Sequence, residues 1–137
     1  MELSQQDYEL IEKAKLTHDA LYLAGVHEVA AVLRTASDKI FSGIHIEADA
    51  GFADICGEVA AICVMVSSGY RDLQTIVAIC GDGKGGYKLL APCGRCREVI
   101  KDFNPQAWVI VGCLESPHKM TVSELLPLHS KATEASG

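Results

Sequence analysis

The chain has 137 residues, of which 49% are hydrophobic and 22% are charged, and its formal net charge is -6. That length suits one domain with a hydrophobic core and is short for two. The negative charge and the lack of a basic run argue against a nucleic acid polymer as partner. No stretch of the sequence has the roughly 20 consecutive apolar residues that a membrane helix needs. We therefore expect a cytoplasmic protein that acts on a small molecule.

The predicted elements alternate between helix and strand. Apolar residues recur at helical spacing over residues 4–24, and two short β-rich segments, Val29–Arg34 and Lys39–Ile46, flank a turn. The pattern then predicts a nearly all-apolar helix at Ile55–Ser68, a strand at Leu73–Cys80, a helix at Cys93–Phe103, a strand at Ala107–Cys113 and a short helix at Val122–Leu126. This order predicts a three-layer α/β domain over residues 1–129, followed by a flexible tail at residues 130–137, which lack apolar content.

Two short motifs, Cys56-Gly57-Glu58 and Cys93-Gly94-Arg95-Cys96, each open one of the predicted helices. Backbone N–H groups at a helix start stabilise a thiolate, and two cysteines separated by two residues can bind one ion. Three thiolates on zinc leave the fourth position open for water, whose pKa the metal lowers to about 7. The motifs therefore predict a catalytic Zn²⁺ site formed by Cys56, Cys93 and Cys96, with Glu58 as the group that moves protons.

The remaining cysteines, Cys63, Cys80 and Cys113, lie inside apolar runs, so we expect them to be core residues without a chemical role. His18 is expected at the surface.

These motifs resemble the signature of the cytidine deaminase superfamily, in which Cys or His, any residue and Glu are followed by Pro-Cys-x-x-Cys. The resemblance covers about residues 27–127. It is strongest to the small all-cysteine branch that contains the tetrameric cytidine deaminases and blasticidin S deaminase, and the segments at residues 39–43 and 90–97 look more like the latter. Two departures stand out: the Asn-x-Glu of cytidine deaminases reads His45-Ile46-Glu47, and the position after Glu58, an arginine in the standard enzymes, is Val59.

The resemblance implies a three-layer α/β/α cytidine deaminase-like fold with a central mixed sheet of about five strands, and a homotetramer. It implies hydrolytic deamination of cytidine, deoxycytidine or a blasticidin S-like compound, in which zinc hydroxide attacks the amine-bearing ring carbon, Glu58 moves the protons and ammonia leaves. Glu47 and His45 are the candidate substrate-binding residues. Arg95 or Arg97 is expected to donate hydrogen bonds to the zinc thiolates, in place of the arginine that is missing after Glu58.

Two alternatives stay open at this stage. A structural zinc module would need a fourth protein ligand, and the sequence offers no obvious one. A thiol-disulfide redox protein would use Cys93 and Cys96, because a Cys-x-x-Cys that opens a helix after a strand is also typical of thioredoxin-like proteins. That reading leaves Cys56-Gly57-Glu58 unexplained.

Overall fold

The structure is a computed structural model that describes residues 1–128; the predicted flexible tail lies outside the described residues. Helices and strands alternate much as predicted. The elements in chain order are α1 (Gln5–Leu21), β1 (Val29–Thr35), β2 (Ile40–Ile44), a 3-10 helix (Gly51–Ala53), α2 (Gly57–Ser67), β3 (Leu73–Gly81), β4 (Tyr87–Leu90), α3 (Gly94–Phe103), β5 (Trp108–Cys113), β6 (Ser116–Thr121) and α4 (Val122–Leu125).

One mixed sheet of six strands forms the centre of the described residues, in the order β2-β1-β3-β5-β6 with β4 paired to β3. The β3–β5 pair is parallel and the other pairs are antiparallel. The first half of β3 pairs with β5 and its second half with β4. The predicted α/β fold with a mixed sheet is therefore confirmed, with β4 and β6 as strands that the sequence pattern did not indicate.

Helices cover both faces of the sheet. On one face α1 packs through Leu10 and Ala14 against Val32 of β1, and on the other face α2 and α3 pack against its neighbour Leu33. Successive strand residues point to opposite faces, so the buried run of β1 belongs to two separate cores. None of the helices within residues 1–128 is long and apolar enough to cross a membrane.

The backbones of β2 and α2 lie unusually close to one another at Gly43. A Cβ atom at this position would lie 2.2 Å from the amide nitrogen of Ala61 and 2.6 Å from the carbonyl carbon of Ala60. Because only a residue without a side chain fits here, Gly43 sets the height of α2 above the sheet. That helix begins immediately after Cys56.

The expectation that Cys63, Cys80 and Cys113 are core residues is wrong for two of them: Cys63 and Cys113 are exposed, while Cys80 is partly buried. α2 is apolar on every side, so its sequence does not indicate which face packs on the sheet. Its outer face, which carries Cys63, also exposes Val64 and Val66. The prediction that His18 lies at the surface is also wrong, because its side chain is fully buried.

Candidate metal and catalytic site

The starts of α2 and α3 bring three cysteines together. Cys56 is the N-cap residue of α2 and Cys93 that of α3, and both have extended backbones that turn into the helix. Cys96 lies in the first turn of α3 and is buried. The sulfur of Cys93 lies 3.5 Å from that of Cys56 and 3.4 Å from that of Cys96, and all three lie within 4.8 Å of one another.

The three sulfurs fit one zinc ion. Tetrahedral zinc with Zn–S bonds of about 2.3 Å separates its sulfur ligands by roughly 3.8 Å, so the observed separations need little adjustment. Within the described residues, these three cysteines are the cluster that could hold a metal. Three protein ligands leave one coordination position for water or substrate, as in catalytic zinc sites.

The thiols differ in acidity because their surroundings differ. Burial is the main cause that raises the pKa of Cys56 and of Cys96. Burial acts in the same direction on Cys93, but hydrogen bonds from the Cys96 backbone N–H and from the neighbouring thiols outweigh it, and the pKa of Cys93 is lowered. Metal binding must therefore displace protons from two thiols that hold them tightly, which a dication bound at this cluster achieves by its charge.

Glu58 lies in the first turn of α2, two residues after Cys56, and only 6% of its surface is exposed. Burial raises the pKa of its carboxyl group, although its own backbone N–H and the Cys96 thiol act in the opposite direction. A carboxyl group with a raised pKa can both accept and release a proton near neutral pH. The residue before it, Gly57, lies close to β1: a Cβ at this position would lie 3.2 Å from the Val29 carbonyl oxygen, a tight contact.

A cavity of about 160 Å³ is lined by Cys56, Cys93 and Glu58. Its lining residues are Val29, His45, Cys56, Gly57, Glu58, Leu90, Ala91 and Cys93. The sequence did not single out Val29, Leu90 and Ala91, although Ala91 and Leu90 directly precede the Pro-Cys motif. Glu47, the second candidate substrate residue, lies outside this lining and contacts His45, with 2.9 Å between His45 Nε2 and Glu47 Oε2.

The two candidate arginines donate their described hydrogen bonds to backbone carbonyls instead of sulfur. Arg95 Nη1 donates to the carbonyl of Asp54 over 3.1 Å. Arg97 donates to the carbonyls of Pro92 and Leu125, each over 2.8 Å. Arg95 thus binds the backbone two residues before Cys56, and Arg97 binds the backbone one residue before Cys93. Because Arg95 belongs to α3, its bond joins the segment of Cys93 and Cys96 to the segment of Cys56.

Comparison with known proteins finds one family that matches most of the chain. The model of the "Cytidine and deoxycytidylate deaminase zinc-binding region" matches residues 4–112. The chain is 38% identical to a blasticidin-S deaminase from Bacillus cereus, over 92% of this chain and 93% of that protein. It is 33% identical to a probable cytidine deaminase from Dictyostelium discoideum, over 72% of this chain and 65% of that one. The crystal structure of a cytidine deaminase from Burkholderia pseudomallei superimposes with a TM-score of 0.75 at 26% identity and covers 92% of this chain and 98% of its own.

Proposed function

Because the chain belongs to the cytidine and deoxycytidylate deaminase family, whose members are zinc-dependent hydrolytic deaminases, we propose that it deaminates the cytosine ring of a nucleoside or of a blasticidin S-like compound. Cytidine and deoxycytidine represent the first kind of substrate and blasticidin S the second. The observation that carries this proposal is the single cavity that Glu58 shares with the thiol ligands Cys56 and Cys93.

The size of the cavity supports a ring-sized reacting group. Pockets that enclose a whole drug-sized ligand measure roughly 300–1,000 Å³, and the cavity beside Glu58 measures about 160 Å³. This smaller volume suits a pyrimidine ring, and we propose that the group attached to the ring lies outside the cavity. The apolar walls formed by Val29, Leu90 and Ala91 suit the faces of such a ring.

In the proposed mechanism, Cys56, Cys93 and Cys96 hold the zinc ion, which supplies the Lewis acidity that makes water a nucleophile at neutral pH. Glu58 takes a proton from the attacking water and delivers it to the ring nitrogen next to the amine-bearing carbon. The hydroxyl group that the water has become on the ring carbon then gives up its proton through the same carboxylate to the amino group, which leaves as ammonia while the ring carbon becomes a carbonyl. Burial of Glu58 raises the pKa of its carboxyl group, which strengthens it as the base that takes the proton from water.

We propose that Arg95 and Arg97 support the site through the backbone carbonyls they bind. The carbonyl of Asp54 lies in the segment that leads to Cys56, and the carbonyl of Pro92 directly precedes Cys93. Fixing both segments holds the ligand sulfurs at metal-binding separation.

The proposed assembly is a homotetramer in the cytoplasm. The outer face of α2, with Cys63, Val64 and Val66, supports this proposal because it is apolar and exposed in the single chain. Light scattering after size-exclusion chromatography should therefore give about four times the mass of one chain.

The deciding experiment measures ammonia release and ultraviolet change with cytidine, deoxycytidine and blasticidin S, beside a zinc determination on the same sample. We expect turnover of at least one compound with about one zinc per chain. Glu58→Gln should abolish turnover and keep the zinc, while Glu9→Gln, at an exposed position on α1, should change neither. A Glu58→Gln variant with full activity would contradict the mechanism, and zinc without turnover of any compound would contradict the proposed substrates.

A further inference from the structure

The hydrogen bonds of the His45 ring determine which of its nitrogens carries the proton. The backbone N–H of Glu28 points at Nδ1 with a donor–acceptor distance of 3.3 Å. A backbone N–H can only donate, so Nδ1 must accept and is unprotonated. The proton of the neutral ring therefore sits on Nε2, which lies 2.9 Å from the carboxylate oxygen Oε2 of Glu47.

The backbone around His45 is held as firmly as the ring. His45 N donates to the Val29 carbonyl over 2.8 Å, and the ring nitrogen Nδ1 of His27 donates to the His45 carbonyl over 2.9 Å. Glu47 N donates to the Val26 carbonyl over 2.9 Å. The segment that carries both side chains is thus hydrogen-bonded to residues 26–29.

Of the two residues, His45 lines the cavity and Glu47 does not. His45 lines the cavity together with Cys56, Glu58 and Cys93, and its side chain is only 16% exposed. The side chain of Glu47 is 51% exposed and does not line the cavity. The link between Glu47 and the cavity lining is therefore its hydrogen bond to His45.

We propose that His45 is a specificity-determining residue of the cavity and that Glu47 is a positioning residue that acts through it. This inference rests on the proposed function. Because both ring nitrogens are engaged within the protein, His45 presents its carbon edge to the substrate instead of a hydrogen-bond donor. The wall therefore recognises the group attached to the pyrimidine by contact and shape, and it suits a substituent with few hydroxyl groups near the ring.

A double-mutant cycle separates this role from direct binding of the substrate by Glu47. Glu47→Ala should raise KM about tenfold, with kcat changed less than about twofold, because the contact lies outside the reacting carbon. In a His45→Phe background the same substitution should change KM less than about twofold. An equal rise in both backgrounds would show that Glu47 binds the substrate directly and would overturn the inference. Asp49→Ala is the matched control, because it removes an exposed carboxylate two residues further on.

The protonation of the ring can be measured without any substrate. Nitrogen-15 spectra of the zinc-loaded protein should show His45 with the proton on Nε2, and Glu47→Ala should weaken that preference while Asp49→Ala leaves it unchanged. A wild-type ring protonated on Nδ1 alone would overturn the inference whatever the substrate. Absence of turnover in the wild type, with the expected ring spectrum, would instead count against the proposed function.

Discussion

Replacing Gly43 with alanine should disturb the candidate active site through α2, because Gly43 packs against Ala60 and Ala61, close to Glu58 on the same helix. The added Cβ would lie 2.2 Å from Ala61 N, and ordinary contact begins at 3.4 Å, so α2 must retreat by about 1 Å. Overpacking of this kind costs about 1–3 kcal/mol, and the obstacle here is rigid helix backbone, which favours the upper end of that range. A misplacement of about 1 Å at a catalytic group can cost roughly a hundredfold in rate.

The assay combines urea unfolding with turnover on whichever compound the enzyme accepts. We expect Gly43→Ala to lower the free energy of unfolding by about 2–3 kcal/mol and to lower kcat/KM by about ten- to a hundredfold. The control is Gly51→Ala, because a Cβ at Gly51 would meet nothing within 4 Å; its stability should stay within about 0.5 kcal/mol of the wild type. A Gly43→Ala protein as stable and active as that control would refute the reasoning.

Two further predictions concern a metal ligand and a buried ion pair. Cys96→Ser should reduce the zinc content measured by plasma mass spectrometry, whereas Cys63→Ser, at an exposed position on α2, should leave it unchanged; equal zinc in both variants would contradict the ligand assignment. Asp7→Asn should lower the free energy of unfolding by about 3 kcal/mol, because Lys119, whose Nζ lies 2.8 Å from Asp7 Oδ2, loses its partner. Burial acts to raise the pKa of Asp7, but hydrogen bonds from Lys119 and Ser4 lower it below the ordinary value of 3.8. The stabilisation is therefore complete above that value and is lost as the pH falls through the lowered pKa. Acid titration of stability should show this loss in the wild type, and finding the same loss in Asp7→Asn would disprove the assignment.

The elements with a clear period or a continuous apolar run could be predicted from the sequence, whereas the strands β4 and β6 could not. β3 and β5 are nearly all apolar because both of their faces are covered, which makes them easy to recognise. β6 contains Pro117 and mostly polar residues, which an edge strand tolerates because one side needs no partner. β4 has only four residues and follows a glycine-rich turn, so its pattern is too short to indicate a strand.

Burial depended on long-range packing that local patterns do not contain. His18 has the sequence context of a surface residue, yet it packs against Gly81 so closely that a Cβ there would lie 2.5 Å from its ring. The three cysteines could be proposed as metal ligands because the Cys-x-x-Cys spacing indicates metal binding even when the packing of the helices is unknown. The contact between His45 and Glu47 had a local signal, since residues two apart on an extended segment share a side. The bond from the Glu28 backbone to His45 had none, because it joins residues 17 positions apart.

The loop between β3 and β4 separates, along the chain, the two segments that supply the candidate site residues. Cys56 and Glu58 precede this loop, and Cys93 and Cys96 follow it, so a chain opened between Gly83 and Lys84 would yield two fragments that each carry only part of the cysteine cluster. The fragments would complement one another only by restoring the β3–β4 and β3–β5 pairings. Ammonia release would then report reassembly of the two pieces, which makes this loop the natural point at which to build a split sensor from the enzyme.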